Sequence, residues 1–148
     1  CALEGIVRAC VRKYGLLFVY KGLSLELAPL DGTVVSDAKW LGFVLEQFLS
    51  NAIKYTHAGS VKIYMERGSL VIEDSGIGIR PEDLPRIFEK GYTGYNGRLD
   101  TRASGVGLYL ARQVADALAI RIAVQSEPGR GTRVTLAFPD ADTFRFQE

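Results

Sequence analysis

The chain has 148 residues, enough to bury roughly two thirds of the surface that it exposes when unfolded, so we expect one domain over 1–148. Apolar residues make up 47%, charged residues 24% and the net charge is +1, which argues against disorder and gives no basic footprint for nucleic acid. No apolar run approaches the roughly 20 residues that cross a bilayer. Met65 is the only methionine, so we expect a fragment of a longer protein.

The N-terminal region, residues 1–21, is predicted to contain one amphipathic helix. Apolar residues recur from Leu3 at three- and four-residue spacing, despite Gly15. Cys1 and Cys10 lie in this region without metal-ligand spacing. We therefore expect both cysteines to be reduced and without a chemical role.

Two short strands and a long helix are predicted next. Residues 23–30 alternate as a strand, 31–32 supply an Asp-Gly turn, and 33–36 indicate a second short strand. Asp37 has the character of an N-cap, and the helix that it begins is predicted to end near Tyr55. The residues marking the buried side of this helix are Leu41, Leu45, Phe48 and Ala52.

Two hairpins flank a glycine-rich stretch. The alternating runs 60–66 and 69–74 are joined by Arg-Gly, and the runs 120–126 and 133–138 are joined by Pro-Gly-Arg-Gly. Between the hairpins, a short helix is predicted from Leu84 to Phe88, followed by a long polar loop that ends at Ser104 and has the length of a lid or binding loop. A second helix is predicted to begin near Gly105. Its apolar stripe consists of Leu108, Ala111, Ala115 and Leu118.

Gly105 and Gly107 stand at the start of that second helix, within the run RASGVGLYLAR. Free backbone N–H groups and the positive end of the helix dipole favour an anion there, so phosphate is the expected ligand. A Rossmann site is excluded because its glycines directly follow a strand, and the Walker pattern is missing. Close helix packing after a flexible loop explains the two glycines equally well.

Asp74 ends a strand in the run VIEDSGIGIR. If phosphates bind at the start of the second helix, a carboxylate at the far end of the same site can accept a hydrogen bond from an exocyclic amine such as that of adenine. Gly76 and Gly78 would then let the backbone approach the flat base. A plain turn explains these two glycines equally well.

Four polar residues of the long helix, Gln47, Asn51, Lys54 and Tyr55, fall within an arc of roughly 100°. The amide oxygen of Asn51 suits Mg²⁺, the charge of Lys54 suits phosphate, and the ring of Tyr55 suits the edge of a base. The alternative is a solvated helix face.

These motifs, in this order, resemble the GHKL (Bergerat) ATP-binding fold, and specifically the catalytic ATP-binding domain of bacterial sensor histidine kinases. FLSNAIKYT is similar to the N box, EDSGIGI to the G1 box, RIFEKGYTG to the F box, SGVGLYLAR to the G2 box and SEPGRGTRVTLAF to the closing segment. The resemblance covers roughly residues 23–138. It implies an α+β two-layer sandwich, with a mixed, mostly antiparallel sheet, helices on one face and an ATP lid over 85–104.

The resemblance also implies the roles of individual residues. Asp74 would contact the adenine amino group, Asn51 would bind Mg²⁺ with Gln47 as a second candidate ligand, and Lys54 would join these two in the catalytic group. The cofactors are ATP and Mg²⁺. The implied nucleotide contacts are Asn51, Lys54, Tyr55, Asp74, Gly76, Gly78, Ile79, Phe88, Arg98, Ser104, Gly105, Val106, Gly107, Leu108 and Thr132.

Two residues depart from the family's pattern. Gln47 stands where the N box has Asn, and Ala103 stands where the G2 box has a third glycine. ATP-hydrolysing relatives resemble one another in having Glu at the position of Gln47, and an amide cannot act as that base. The resemblance therefore favours phosphoryl transfer over hydrolysis.

We therefore expect a domain that presents Mg·ATP to a histidine on a separate dimerisation domain, within a homodimeric, membrane-anchored sensor whose catalytic part is cytoplasmic and whose downstream partner is a response regulator. His57 lacks the sequence context of the acceptor histidine. The run KGYTGYNGR resembles sensors that work beside peptide-antibiotic transporters. The alternatives are an anti-sigma-type serine kinase and a pseudokinase that binds ATP without transferring phosphate.

Overall fold

A five-stranded mixed sheet organises the chain. The computed structural model describes residues 2–30, 32–34, 36–91 and 106–139. The strand order is β1-β2-β3-β5-β4, with β1 parallel to β2 and all other neighbours antiparallel. The expected α+β class is confirmed.

The elements are α1 (Leu3–Lys13), α2 (Gly15–Lys21), β1 (Ser24–Leu27), α3 (Ala38–Lys54), β2 (Ser60–Glu66), β3 (Ser69–Asp74), a 3₁₀ turn (Leu84–Arg86), α4 (Val106–Ala117), β4 (Arg121–Glu127) and β5 (Gly131–Ala137).

The sheet places most of its apolar side chains on one face because strand residues alternate in direction. Ile63 of β2 lies opposite Ile72 of β3, which lies opposite Val134 of β5, and all three are buried in the core with the helices. The residues between them, such as Lys62 and Glu73, point to the other face of the sheet. The face with the core also carries Asp74, two residues beyond Ile72.

Helix α3 is the central helix of the core and matches its prediction closely. The Asp37 carboxylate accepts hydrogen bonds from the backbone N–H groups of Lys39 and Trp40 at 3.0 and 3.2 Å, so it is the expected N-cap. The four residues predicted to mark the buried side are all buried. In α4, Ala111 and Ala115 are fully buried.

The prediction of one N-terminal helix is wrong. Helix α1 ends at Lys13 and α2 begins at Gly15, because Tyr14 leaves the helical conformation with φ −102° and ψ 8°. Helix α2 ends in a Schellman motif: Gly22 has φ 67°, its N–H bonds to Val19, and the next N–H bonds to the Phe18 carbonyl.

The predicted strand over 33–36 is also wrong. Among the described residues of that stretch, only Thr33 makes a β-bridge, to Ala2. The predicted helix from Leu84 to Phe88 is a single 3₁₀ turn. Of the predicted lid, only the part up to residue 91 lies within the described residues. None of the helices described is both long and apolar enough to cross a membrane.

Candidate functional site

The Asp74 carboxylate is fixed through one of its two oxygens. Its Oδ1 accepts hydrogen bonds from the backbone N–H groups of Gly76 at 2.9 Å and Thr132 at 3.2 Å. No described residue donates a hydrogen bond to Oδ2. Burial raises the pKa of Asp74 above its ordinary value of 3.8, although the two N–H groups act in the opposite direction. The site thus holds a half-buried acceptor whose second oxygen is left for another donor.

Gly76 and Gly78 have a reason that the sequence did not show. A Cβ on Gly76 would overlap the Tyr55 carbonyl oxygen and lie 2.8 Å from the Thr56 hydroxyl, and a Cβ on Gly78 would overlap the Glu127 carbonyl oxygen. Gly78 also has φ +77°, which favours glycine. The absence of a side chain at both positions therefore lets this loop pack against the backbone at Tyr55 and Glu127. The Ile77 N–H donates to the Tyr55 carbonyl at 3.0 Å, which joins the loop to the end of α3.

Ser126 holds the loop from the other side, and the sequence interpretation missed it. Its hydroxyl accepts from the Ile79 N–H at 2.8 Å and donates to the Gly131 carbonyl at 2.9 Å, and it lies 2.8 Å from the Thr132 hydroxyl. Because one hydroxyl has a single proton to donate, Thr132 must be the donor in that last pair. The sequence did contain a signal for this residue, because Ser126 follows Ile122 and Val124 at two-residue spacing and therefore lies on the same, core-facing side of β4.

The polar residues of α3 face the same region. Gln47, Asn51, Lys54 and Tyr55 are all half-buried rather than solvated, and the Lys54 ammonium lies 5.4 Å from the centre of the Tyr55 ring. The Gln47 Oε1 contacts Gly107 in the first turn of α4 so closely that a Cβ there would overlap it. The second half of α3 is therefore in contact with the loop that follows β3 at one end and with the first turn of α4 at the other.

Phe88 anchors the first part of the predicted lid. Its ring packs edge-on against Phe48 of α3 with centroids 6.3 Å apart, and the Arg112 guanidinium of α4 lies 5.2 Å from its centre. Lys90 follows with its ammonium 5.9 Å from the centre of the Tyr109 ring. Phe88 is thus held by protein contacts with α3 and α4, which fix the described part of the predicted lid against these helices.

The remaining predicted residues divide into two groups. Arg98, Ser104 and Gly105 lie outside the described residues, as does the side chain of Val106. His57 is exposed in the loop between α3 and β2, as expected.

The side-chain amide of Asn51 has the chemistry of a magnesium ligand. The described residues contain no group of three or more His, Cys, Asp or Glu side chains placed to hold a metal. Mg²⁺, however, is commonly held by one or two protein oxygens together with substrate phosphates and water. The half-buried Asn51 amide, to which no described residue hydrogen-bonds, supplies an oxygen of the right kind one helical turn beyond Gln47.

Comparison with known proteins gives consistent results. The family described as "Histidine kinase-, DNA gyrase B-, and HSP90-like ATPase" matches residues 36–142. The sensor protein BceS of Halalkalibacterium halodurans is 42% identical over 146 residues, which cover 96% of this chain and 44% of that protein. The sensor protein kinase GraS of Staphylococcus aureus is 42% identical over 124 residues, covering 80% of this chain and 36% of that protein. The chain thus spans less than half the length of these relatives.

Solved structures show the same fold. The mycobacterial sensor histidine kinase MprB superposes with a TM-score of 0.77 at 22% identity, covering 94% of this chain and 96% of that one. Full-length ShkA in complex with AMPPNP superposes with a TM-score of 0.74 at 24% identity, covering 95% of this chain and 31% of that one. The resemblance inferred from the boxes is confirmed. The chain therefore belongs to the histidine kinase-, DNA gyrase B- and HSP90-like ATPase family.

Proposed function

We propose that this chain is the ATP-binding catalytic domain of a sensor histidine kinase, formed by residues 1–148 as one unit. The observation that carries the proposal is the state of Asp74: two backbone N–H groups hold Oδ1, while Oδ2 accepts no hydrogen bond from a described residue. A half-buried carboxylate with one oxygen to spare is suited to an exocyclic amino group, as adenine has. Asp74 therefore selects the base.

The phosphates are assigned to the opposite end of the same site. The first turn of α4 presents N–H groups that have no carbonyl partner within the helix, and such a turn favours anions. Asn51 would hold Mg²⁺ through its amide oxygen, and Lys54 would add positive charge. When bound, the metal would supply positive charge that offsets the negative charge of the phosphates. The protein's own contribution is then to orient the γ-phosphate for in-line attack.

The acceptor is assigned to another part of the full-length protein. The sequence relatives are named as sensor proteins and sensor kinases, which favours transfer to a histidine and does not favour the anti-sigma-type serine kinase or the pseudokinase. By this proposal the histidine belongs to a dimerisation domain of the same protein, a response regulator receives the phosphoryl group, and the intact protein is a membrane-anchored homodimer. The resemblance of the run KGYTGYNGR to sensors that work beside peptide-antibiotic transporters supports the same role for this protein.

The experiment uses the full-length protein and γ-labelled ATP. We expect an acid-labile label on a histidine other than His57 that depends on Mg²⁺ and that is strongly reduced in Asp74→Asn when ATP is near the wild-type Kd. Glu73→Gln is the matched control, because Glu73 is the neighbouring acid and points to the opposite face of the sheet. Binding of ATP without any histidine label would refute the kinase assignment. Equal labelling in Asp74→Asn would refute the assignment of the base contact.

A further inference from the structure

Gln47 makes the contact that joins α3 to the first turn of α4. In the described part of the chain, the only atoms within 4 Å of the Cβ position on Gly107, other than those of its own helix, are Oε1 and Cδ of Gln47. The carboxamide therefore covers the Gly107 backbone directly. Gly107 does not have a positive φ, so it is the absence of a side chain that admits the close approach of the flexible Gln47 side chain.

Gly107 belongs to a face of α4 that lies close to α3. Ala111 and Ala115 follow it at four-residue intervals and are fully buried, so small side chains let the two helices approach. At the N-terminal end of this face, where Gly107 has no side chain, the contact is made by Gln47. At this end of the face, a polar side chain of α3 therefore lies directly against the first turn of α4.

The length of Gln47 matters for this contact. An asparagine carries the same carboxamide on a stem that is shorter by one C–C bond of about 1.5 Å, so it would leave a gap at Gly107. The turn that Gln47 touches carries the N–H groups assigned to phosphate, and their direction depends on where the turn lies.

We propose that Gln47 is a positioning residue, whose carboxamide holds the first turn of α4 where that turn binds the phosphates of the nucleotide. This inference rests on the proposed function, because it concerns the same site. It gives Gln47 a role that needs no metal, in place of the ligand role that the family resemblance implied. It also explains why Gln, rather than the shorter Asn, can stand at this position.

The first test measures three ligands with wild type and with Gln47→Asn. The ligands are Mg·ATP, ATP in EDTA, and adenosine, the last followed by NMR titration. A positioning role predicts that Gln47→Asn weakens ATP binding by about 3- to 30-fold, the effect of residues in direct contact, with and without the metal. Adenosine has no phosphate, so its affinity should stay within about twofold.

The second test is a double-mutant cycle between Gln47→Asn and Gly107→Ala. The new Cβ displaces the flexible end of Gln47 in the wild-type background, but it fills the gap in the Gln47→Asn background. We therefore expect the double variant to bind ATP at least threefold better than the product of the two single losses predicts. The preference of alanine for helices is present in both backgrounds and cancels. The same cycle on melting temperature without nucleotide tests the contact itself.

The outcomes separate the possible failures. A loss that occurs only with Mg²⁺ would show that Gln47 is a metal ligand and would overturn the inference. Equal losses for adenosine and ATP would show a general structural role, and additive effects in the cycle would show that the contact does not matter; either result would also overturn it. If wild type binds neither ATP nor adenosine while the melting cycle still shows coupling, the proposed function fails and the positioning role fails with it, although the contact stands.

Discussion

We expect Asp74→Asn to lower the affinity for ATP without lowering the stability of the unliganded protein, so the two effects can be measured separately. The substitution keeps the shape of the side chain and removes its charge. Two backbone N–H groups point at Oδ1, so only the amide oxygen of Asn can occupy that place without facing two donors. The amide NH₂ must then replace Oδ2. It would face the amino group of adenine, and two donors cannot bond to each other.

The expected loss of affinity follows from the strength of this hydrogen bond. Hydrogen bonds to charged groups contribute about 1.5–3 kcal/mol, which corresponds to a 10- to 150-fold higher Kd for ATP. Stability should respond differently. Because burial raises the pKa of Asp74 in the folded state, its contribution to stability is present below the ordinary value of 3.8 and is lost as pH rises through the raised pKa. At neutral pH the unliganded Asn variant should therefore be at least as stable as wild type.

Calorimetric titration with Mg·ATP and thermal unfolding between pH 3 and 8 measure the two quantities. Glu73→Gln is the control, since Glu73 lies on the other face of the sheet, where the Tyr64 hydroxyl donates to it at 3.4 Å. This control should leave ATP affinity unchanged. An Asn variant that binds ATP as wild type does would refute the base contact, and one that melts well below wild type at pH 7 would refute the argument from burial.

Three further predictions concern the metal, the glycines and the acceptor. Asn51→Ala should abolish most of the difference in ATP affinity measured with Mg²⁺ and with EDTA; if that difference persists, Asn51 does not hold the metal. Gly76→Ala should lower stability by about 1–3 kcal/mol because its Cβ would overlap the Tyr55 carbonyl. Gly5→Ala, in the first turn of α1, meets no atom within 4 Å and should raise stability by up to about 1 kcal/mol; unfolding in denaturant measures both, and equal effects would contradict the packing argument. The chain by itself should bind ATP yet neither label His57 nor release phosphate at a useful rate, which γ-labelled ATP tests directly.

Local sequence determined the elements whose contacts are close along the chain. The hairpin of β2 and β3 was predictable because Arg67 and Gly68 join two alternating runs, and both adopt positive φ, 52° and 81°, as a two-residue turn requires. The start of α3 was predictable because the cap and its two partners, from Asp37 to Trp40, lie within four residues. The sequence also showed that Asn51 and Asp74 belong to boxes of one family.

The tertiary structure decided what depends on partners far along the chain. Tyr14 interrupts an apolar pattern that continues through it, and Thr33 bridges to Ala2 instead of extending a strand of its own. Gly76 appeared suited to a ligand, but the carbonyl that excludes a Cβ there belongs to Tyr55, at the end of another element.

The candidate site also depends on contacts between residues that are far apart in the sequence. The Thr132 N–H that fixes Asp74 comes from 58 positions away, and the contact of Gln47 with Gly107 spans two helices separated by both strands of a hairpin and the lid. Side-chain spacing reports which residues share a face of one element. It does not report which faces meet, because that is set by the packing of the whole core around α3.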